Sequence, residues 1–139
     1  MSAQAGFDVR DLGTIPYRDA LALQHELREQ RIADEIGDTL LVLEHPPVYT
    51  RGRRSAPGEL TLPAQWYADR GIEIVDVDRG GKVTYHGPGQ LVIYLICKVT
   101  DVKGFVCRLE QAMVAALAQE GIDAHGRSTD GIEFTGAWV

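Results

Sequence analysis

The sequence is short of cysteine, of basic charge and of long apolar runs, and each shortage closes off a class of protein. Only two cysteines, Cys97 and Cys107, occur in 139 residues, and no C-x-x-C or H-x-x-x-H spacing brings zinc ligands together. A disulfide framework is excluded. With no secretory signal ahead of them, both thiols are expected to stay reduced in a cytoplasmic compartment. Lysine and arginine number 14 against 20 acidic residues, a formal charge of −6, which is the wrong sign for a surface that displaces counterions from nucleic acid. No apolar stretch approaches the roughly 20 residues that cross a bilayer. The G-x-x-x-x-G-K-[ST] loop is missing, and no G-x-G-x-x-G follows a strand into a helix, so two common phosphate cradles are absent. There is no internal repeat, linker or low-complexity tract.

What is present is an ordinary globular composition, 45% hydrophobic and 24% charged, sufficient for one core in a single domain over residues 1–139. Phe7, Val9 and Leu12 suggest a short first strand. Pro16 stands where helix starts accept proline, and Ala20, Leu23 and Leu27 recur at helical spacing in a helix that ends near Gly37. Thr39 to Leu43 reads as a buried strand. Glu44 to Gly58, with two adjacent prolines and a run of turn formers, reads as a long loop, and its Arg51, Arg53 and Arg54 form a basic cluster. Pro63 to Arg70 forms a short helix closed by Gly71, and Ile72 to Val77 a half-buried strand. Val83–Tyr85 and Leu91–Ile96 are two strands flanking the turn His86-Gly87-Pro88-Gly89. Val106, Leu109, Met113, Ala116 and Leu117 line one face of a second long helix that stops at Gly121, and a last strand covers Ile132 to Val139. Strands and helices do not alternate regularly. The order therefore predicts an α/β (α+β) domain, a mixed sheet flanked by helices, rather than a doubly wound parallel sheet.

The stretch DRGGKVTYHGPGQLVIYLI, Asp78 to Ile96, concentrates the residues that carry chemistry. Gly80 and Gly81 allow positive φ and remove side-chain bulk, so a ligand can come close to the backbone N–H groups. Arg79 offers a fork of donors. Thr84 and His86 alternate onto one face of a strand with Tyr85 on the other, so polar ends can converge on one pocket. A tight hairpin would account for a glycine pair alone, but arginine, threonine, histidine and glutamine add nothing to a turn, and their concentration favours a binding site. Cys97 with His86 as base is weaker, since Cys97 closes an apolar run where inert thiols are the rule, and Cys107 adjoins the apolar stripe of a helix. His45, His86 and His125 are far apart and read as satisfied polar histidines rather than metal ligands. The arginine cluster leaves two readings open, a solvated loop or a landing site for an acidic protein or a phosphate-bearing arm.

RGGKVTYHGPGQLVIY, from Arg79 to Tyr94, closely resembles the signature of the lipoyl(octanoyl) transferase family: R-G-G, two residues, T, an aromatic, H, two residues, G-Q and an apolar strand with a tyrosine. LLVLEHPPVYTRGRR resembles that family's upstream strand and E-H-x-P-V-Y-T segment, and DVRDLGTIPYRDALALQ extends the similarity to essentially the whole chain. The resemblance implies a catalytic domain related to biotin and lipoate protein ligases. It also implies transfer of an octanoyl group, without ATP or another cofactor, from acyl carrier protein to a lysine of lipoyl domains, those of 2-oxoacid dehydrogenases and the glycine cleavage H protein. It assigns substrate binding to Arg79, Gly80, Gly81 and Lys82 and, along the next strand, to Val83, Thr84, Tyr85 and His86. An acidic carrier protein would suit the arginine cluster.

One departure bears on activity. Family members carry the acyl group on a cysteine in a late P-C-G-like segment, activated by a lysine from an earlier strand, and neither segment lies within the sequence to Val139. Lys82, Lys98 and Lys103 stand outside that context, as do both cysteines. No residue here is thus assigned the catalytic role, and the chain is expected to be the N-terminal portion of the domain, C-terminally incomplete and without normal turnover on its own. The competing readings are an ATP-dependent lipoate or biotin ligase, for which TRGRRS is a faint echo of a nucleotide contact, a noncatalytic acyl-binding fragment, and a cysteine hydrolase using Cys97.

Overall fold

The computed structural model describes residues 6–131 and 134–139. The chain divides into two compact units, one ending at Lys98 and one running from Val99 to Val139. In the first, β1 (Asp8–Thr14) leads through Pro16 into α1 (Tyr17–Ile32) and then to β2 (Thr39–Glu44). The helix ends before Gly37 because Asp34 takes a left-handed conformation, φ 59°, which aspartate tolerates better than most residues. Arg31 fixes that end by pairing with Asp34 at 2.7 Å and Asp38 at 2.6 Å.

After β2 come β3 (Val48–Arg51), α2 (Ala64–Ala68), β4 (Glu73–Asp76), β5 (Val83–His86) and β6 (Val92–Ile96). They form two mixed three-stranded sheets, β1-β2-β6 and β4-β3-β5. The long loop expected from Glu44 to Gly58 is therefore interrupted by β3, the central strand of the second sheet, parallel to β4 and antiparallel to β5. Pro46 and Pro47 precede its first paired residue, where their missing donors do not weaken the ladder. Val48, Tyr49 and Thr50 are the β-branched and aromatic residues that a pleated surface favours. Nor is the glycine-rich turn a hairpin, since β5 pairs with β3 whereas β6 pairs with β2.

Helix α1 serves both sheets. Ala20 and Leu27 pack with Leu41, Leu43 and Ile96, while Tyr17 packs with Val48 and Val75. Complete burial of a leucine such as Leu41, at 0% exposure, contributes about 1.5–3 kcal/mol.

The second unit contains α3 (Val102–Gln119), β7 (His125–Gly126) and β8 (Ala137–Trp138). Asp101 caps α3 by accepting from the Gly104 N–H at 2.9 Å, and Gly121 follows its end as expected. The apolar stripe expected to be core is only partly so: Met113 and Ala116 are exposed, Val106, Leu109 and Leu117 are half-buried, and the buried side chain of α3 is Glu110. The final strand is shorter than Ile132–Val139. Ile132 and Glu133 lie outside the described residues, Phe134 forms a turn through its N–H to Gly131 O at 3.0 Å, and only Ala137–Trp138 pairs, with His125–Gly126. No described helix is long and apolar enough to cross a membrane.

Candidate functional site

Two segments far apart in sequence form one wall. The N–H groups of Gly52, Arg53 and Arg54 donate to the carbonyls of Lys82 (3.3 Å), Arg79 (3.0 Å) and Gly81 (3.0 Å). The approach is so close that a Cβ on Gly52 would stand 2.6 Å from the Gly81 oxygen, which explains the glycine. The Arg79 guanidinium locks the wall from inside, donating to Thr50 O at 3.0 Å, Thr50 Oγ1 at 2.6 Å and Gly80 O at 3.0 Å.

Register then decides which side chains meet. Thr84 lies opposite Thr50 and His86 opposite Val48, so Thr84 and His86 share the sheet face on which Val48 meets Tyr17 of α1. The His86 ring stacks 6.1 Å from Tyr17 and lies 5.7 Å from His45. Its Nδ1 donates to Gln90 Oε1 at 2.6 Å, while Gln90 Nε2 donates to Tyr85 O at 3.2 Å, closing the turn. Glu44 secures the same turn by accepting from the Gly89 N–H at 2.8 Å. His45 is fully buried, with Nδ1 2.8 Å from Ile15 O and Nε2 2.9 Å from the Tyr94 hydroxyl. Burial pushes the His45 pKa down and holds the ring neutral. Burial likewise raises the phenol of Tyr17, an effect opposed by nearby Arg79, and pushes that of Tyr94 up to about 12.

Tyr17, Tyr94 and Arg79 also line a cavity of about 570 Å³, whose walls include Leu21, Val77 and Ile96, with Arg28 and Lys98 among its charged residues. Its size is that of a small-molecule site. Apolar walls beside two phenols and a guanidinium suit a ligand with a hydrocarbon body and a polar end.

Of the eight residues singled out in the sequence, Arg79 lines this cavity. Gly80, Gly81 and Lys82 build the loop of the wall, Lys82 being largely exposed 3.6 Å from Glu59. Val83 begins β5, and Tyr85 turns to the opposite face, 5.0 Å from Tyr49. Thr84 is exposed, and His86 reaches the cluster through Tyr17 and His45. Tyr17, His45 and Tyr94 were not singled out as site residues, although each falls inside a segment that carried the resemblance. Two of the three clustered arginines meet acids: Arg51 is held by Asp76 at 2.7 and 2.8 Å, and Arg53 lies 3.9 Å from Asp78. Cys97 lines the cavity, its thiol pKa raised by burial and by Asp38, and Cys107 Sγ lies 4.0 Å from Ser128 Oγ. Among the described residues no cluster of histidine, cysteine and acidic side chains is arranged to hold a metal.

The architecture is that of the lipoate protein ligases. A structure of a bi-partite lipoate protein ligase and its E2 lipoyl domain from Thermoplasma acidophilum superposes with a TM-score of 0.63 over 88% of this chain and 49% of that one, at 19% identity. At that identity the likeness speaks for the fold alone. The sequence goes further: residues 16–139 match the lipoyl protein ligase A/B catalytic domain, and the chain belongs to that family. It is 46% identical over 135 residues to an octanoyltransferase of Corynebacterium efficiens and 44% identical over 144 residues to one of Mycobacterium leprae. These alignments cover 95% and 99% of this chain but 50% and 56% of those proteins. The chain spans about half the length of the curated relatives it matches.

Proposed function

We propose that this chain supplies the acyl-binding part of an octanoyltransferase, which moves an octanoyl group from acyl carrier protein to the lysine of a lipoyl domain in lipoate assembly. The observation that carries this reading is the 570 Å³ cavity whose lining combines apolar Leu21, Val77 and Ile96 with Tyr17, Tyr94 and Arg79. The hydrocarbon chain lies against Leu21, Val77 and Ile96, and the thioester end meets the wall built from Arg79, Gly80, Gly81 and Lys82. Val83, Thr84, Tyr85 and His86 hold that wall in place and set the adjoining polar cluster. Amides 52–54 are consumed by carbonyls of the facing loop, which leaves them unable to cradle a phosphate and supports a carrier-bound thioester over an ATP-activated acid as the acyl source. Cys97, with its raised pKa, is a poor thiolate, so the acyl-enzyme step falls to no residue described here. Two free thiols fit a reducing, cytoplasmic setting.

The test is octanoyl binding by calorimetry or ligand-observed NMR, together with intact-mass analysis after incubation with octanoyl-carrier protein and no ATP. Binding without covalent acylation is expected, and Arg79→Ala should weaken it about tenfold. Unchanged binding by a folded Arg79→Ala protein would count against the assignment.

A further inference from the structure

Tyr94 reaches the cavity, and the atom behind it is His45. The two contacts of the His45 ring are chemically unequal. Ile15 O, 2.8 Å from Nδ1, is a carbonyl and can only accept, so Nδ1 carries the proton. A neutral ring then has its lone pair on Nε2, and the Tyr94 hydroxyl 2.9 Å away must donate to it. The side chain of His45 is at 0% exposure, which opposes the imidazolium in which both nitrogens would donate.

We propose that His45 is a positioning residue that fixes the Tyr94 hydroxyl proton away from the cavity, so that the Tyr94 oxygen, which the cavity-lining Gln24 amide also faces, acts there only as an acceptor and selects a ligand with an N–H donor at that point. A thioester has no such donor, whereas the amides of a pantetheine-type arm and an acceptor amine do. The selection of donor ligands rests on the acyl-cavity reading above; the tautomer rests on the ring contacts alone. Tyr17, the other phenol of the cavity, forms no hydrogen bond through its hydroxyl among the described residues, so it remains able to donate. Tyr94 is thus restricted to accepting, whereas Tyr17 can donate or accept.

The decisive measurement needs no variant. A long-range proton–nitrogen NMR spectrum of the 139-residue chain should show His45 protonated on Nδ1 alone; a proton on Nε2, alone or in addition, would overturn the proposal. Two probes of similar shape then read the cavity. Octanamide, which has N–H donors, should bind on the order of tenfold more tightly than methyl octanoate, which has none. His45→Asn, which can keep a donor near Ile15 but releases Tyr94, should abolish that preference. His45→Gln, which places an acceptor near the former Nε2, should restore it. Equal binding of the two probes to the wild-type chain overturns the selection of donors even if the variants fail to fold. If neither probe binds while the spectrum shows the Nδ1 proton, the orienting of Tyr94 stands and the acyl-cavity reading falls.

Discussion

The two compact units are organised by opposite means. Up to Lys98, water exclusion does the organising: Ala20 and Leu41 are completely buried, and Leu27 and Leu43 are at 2% exposure. From Val99 onward the buried side chain of the long helix is a carboxylate. Glu110 accepts from the N–H groups of Arg127 (3.2 Å), Ser128 (3.0 Å) and Gly136 (3.1 Å) and from the Ser128 hydroxyl (2.9 Å). These bonds, that from Gly136 foremost, hold its pKa below the usual carboxylate range. Apolar burial is indifferent to pH and tolerant of small shifts. A charged hub is specific in direction and can be switched off with a proton.

The comparison can be broken at its strong end first. Leu41→Ala should cost about 2–5 kcal/mol in urea unfolding through the lost burial and the cavity left behind. The same truncation at Met113, 47% exposed, should stay within about 0.5 kcal/mol. Equal costs would mean that α3 owes its stability to packing after all.

Gly52→Ala comes next. The added methyl meets backbone rather than a yielding side chain, so about 1–3 kcal/mol is expected, with faster hydrogen exchange at residues 52–54. Wild-type exchange rates there would mean that the close approach relaxes freely.

A pH titration sharpens the contrast. Because the folded pKa of Glu110 is depressed, its contribution is complete above the ordinary glutamate range and is lost as pH falls through that range toward the lower folded value. Amide protection at Arg127, Ser128 and Gly136 should fall with it, and Glu110→Gln should remove the pH dependence. In the first unit His45 works on a different interval. Its folded pKa is also depressed, but it is a base, so acidification below about 6.5 protonates the unfolded chain preferentially and lowers stability. The thermal midpoint should fall over that interval, and less steeply in His45→Gln. On the same small scale as the Met113 truncation, Arg51→Ala removes an exposed pair with Asp76 and should cost about 0.2–1 kcal/mol, less in high salt.

How much of this was legible in the sequence follows from range. Helix α1 and β2 announce themselves by local periodicity, and the glycine-rich segment draws attention through Arg79 and His86, both of which the fold also uses to lock the segment itself, Arg79 through Thr50 and His86 through Gln90. Strand β3 was hidden because the adjacent prolines Pro46 and Pro47 dominate its neighbourhood, although their effect ends one residue before pairing begins. The stripe on α3 was visible as a stripe, yet periodicity states which residues share a face and not what covers it. The partners of β5 and β6 were undetermined for a similar reason: two short strands around a turn satisfy a hairpin and a sheet-to-sheet crossing equally well. Tyr17, His45 and Tyr94 come from three separate segments, and nothing local in any of them reports that their rings meet.

The ladder joining residues 52–54 to 79–82 makes two stretches of chain a single inherited part. An engineer who transplanted one stretch into a related scaffold would carry over donors or acceptors matched to a counterpart left behind. Keeping this wall intact in a transplant therefore calls for exchanging both cassettes together.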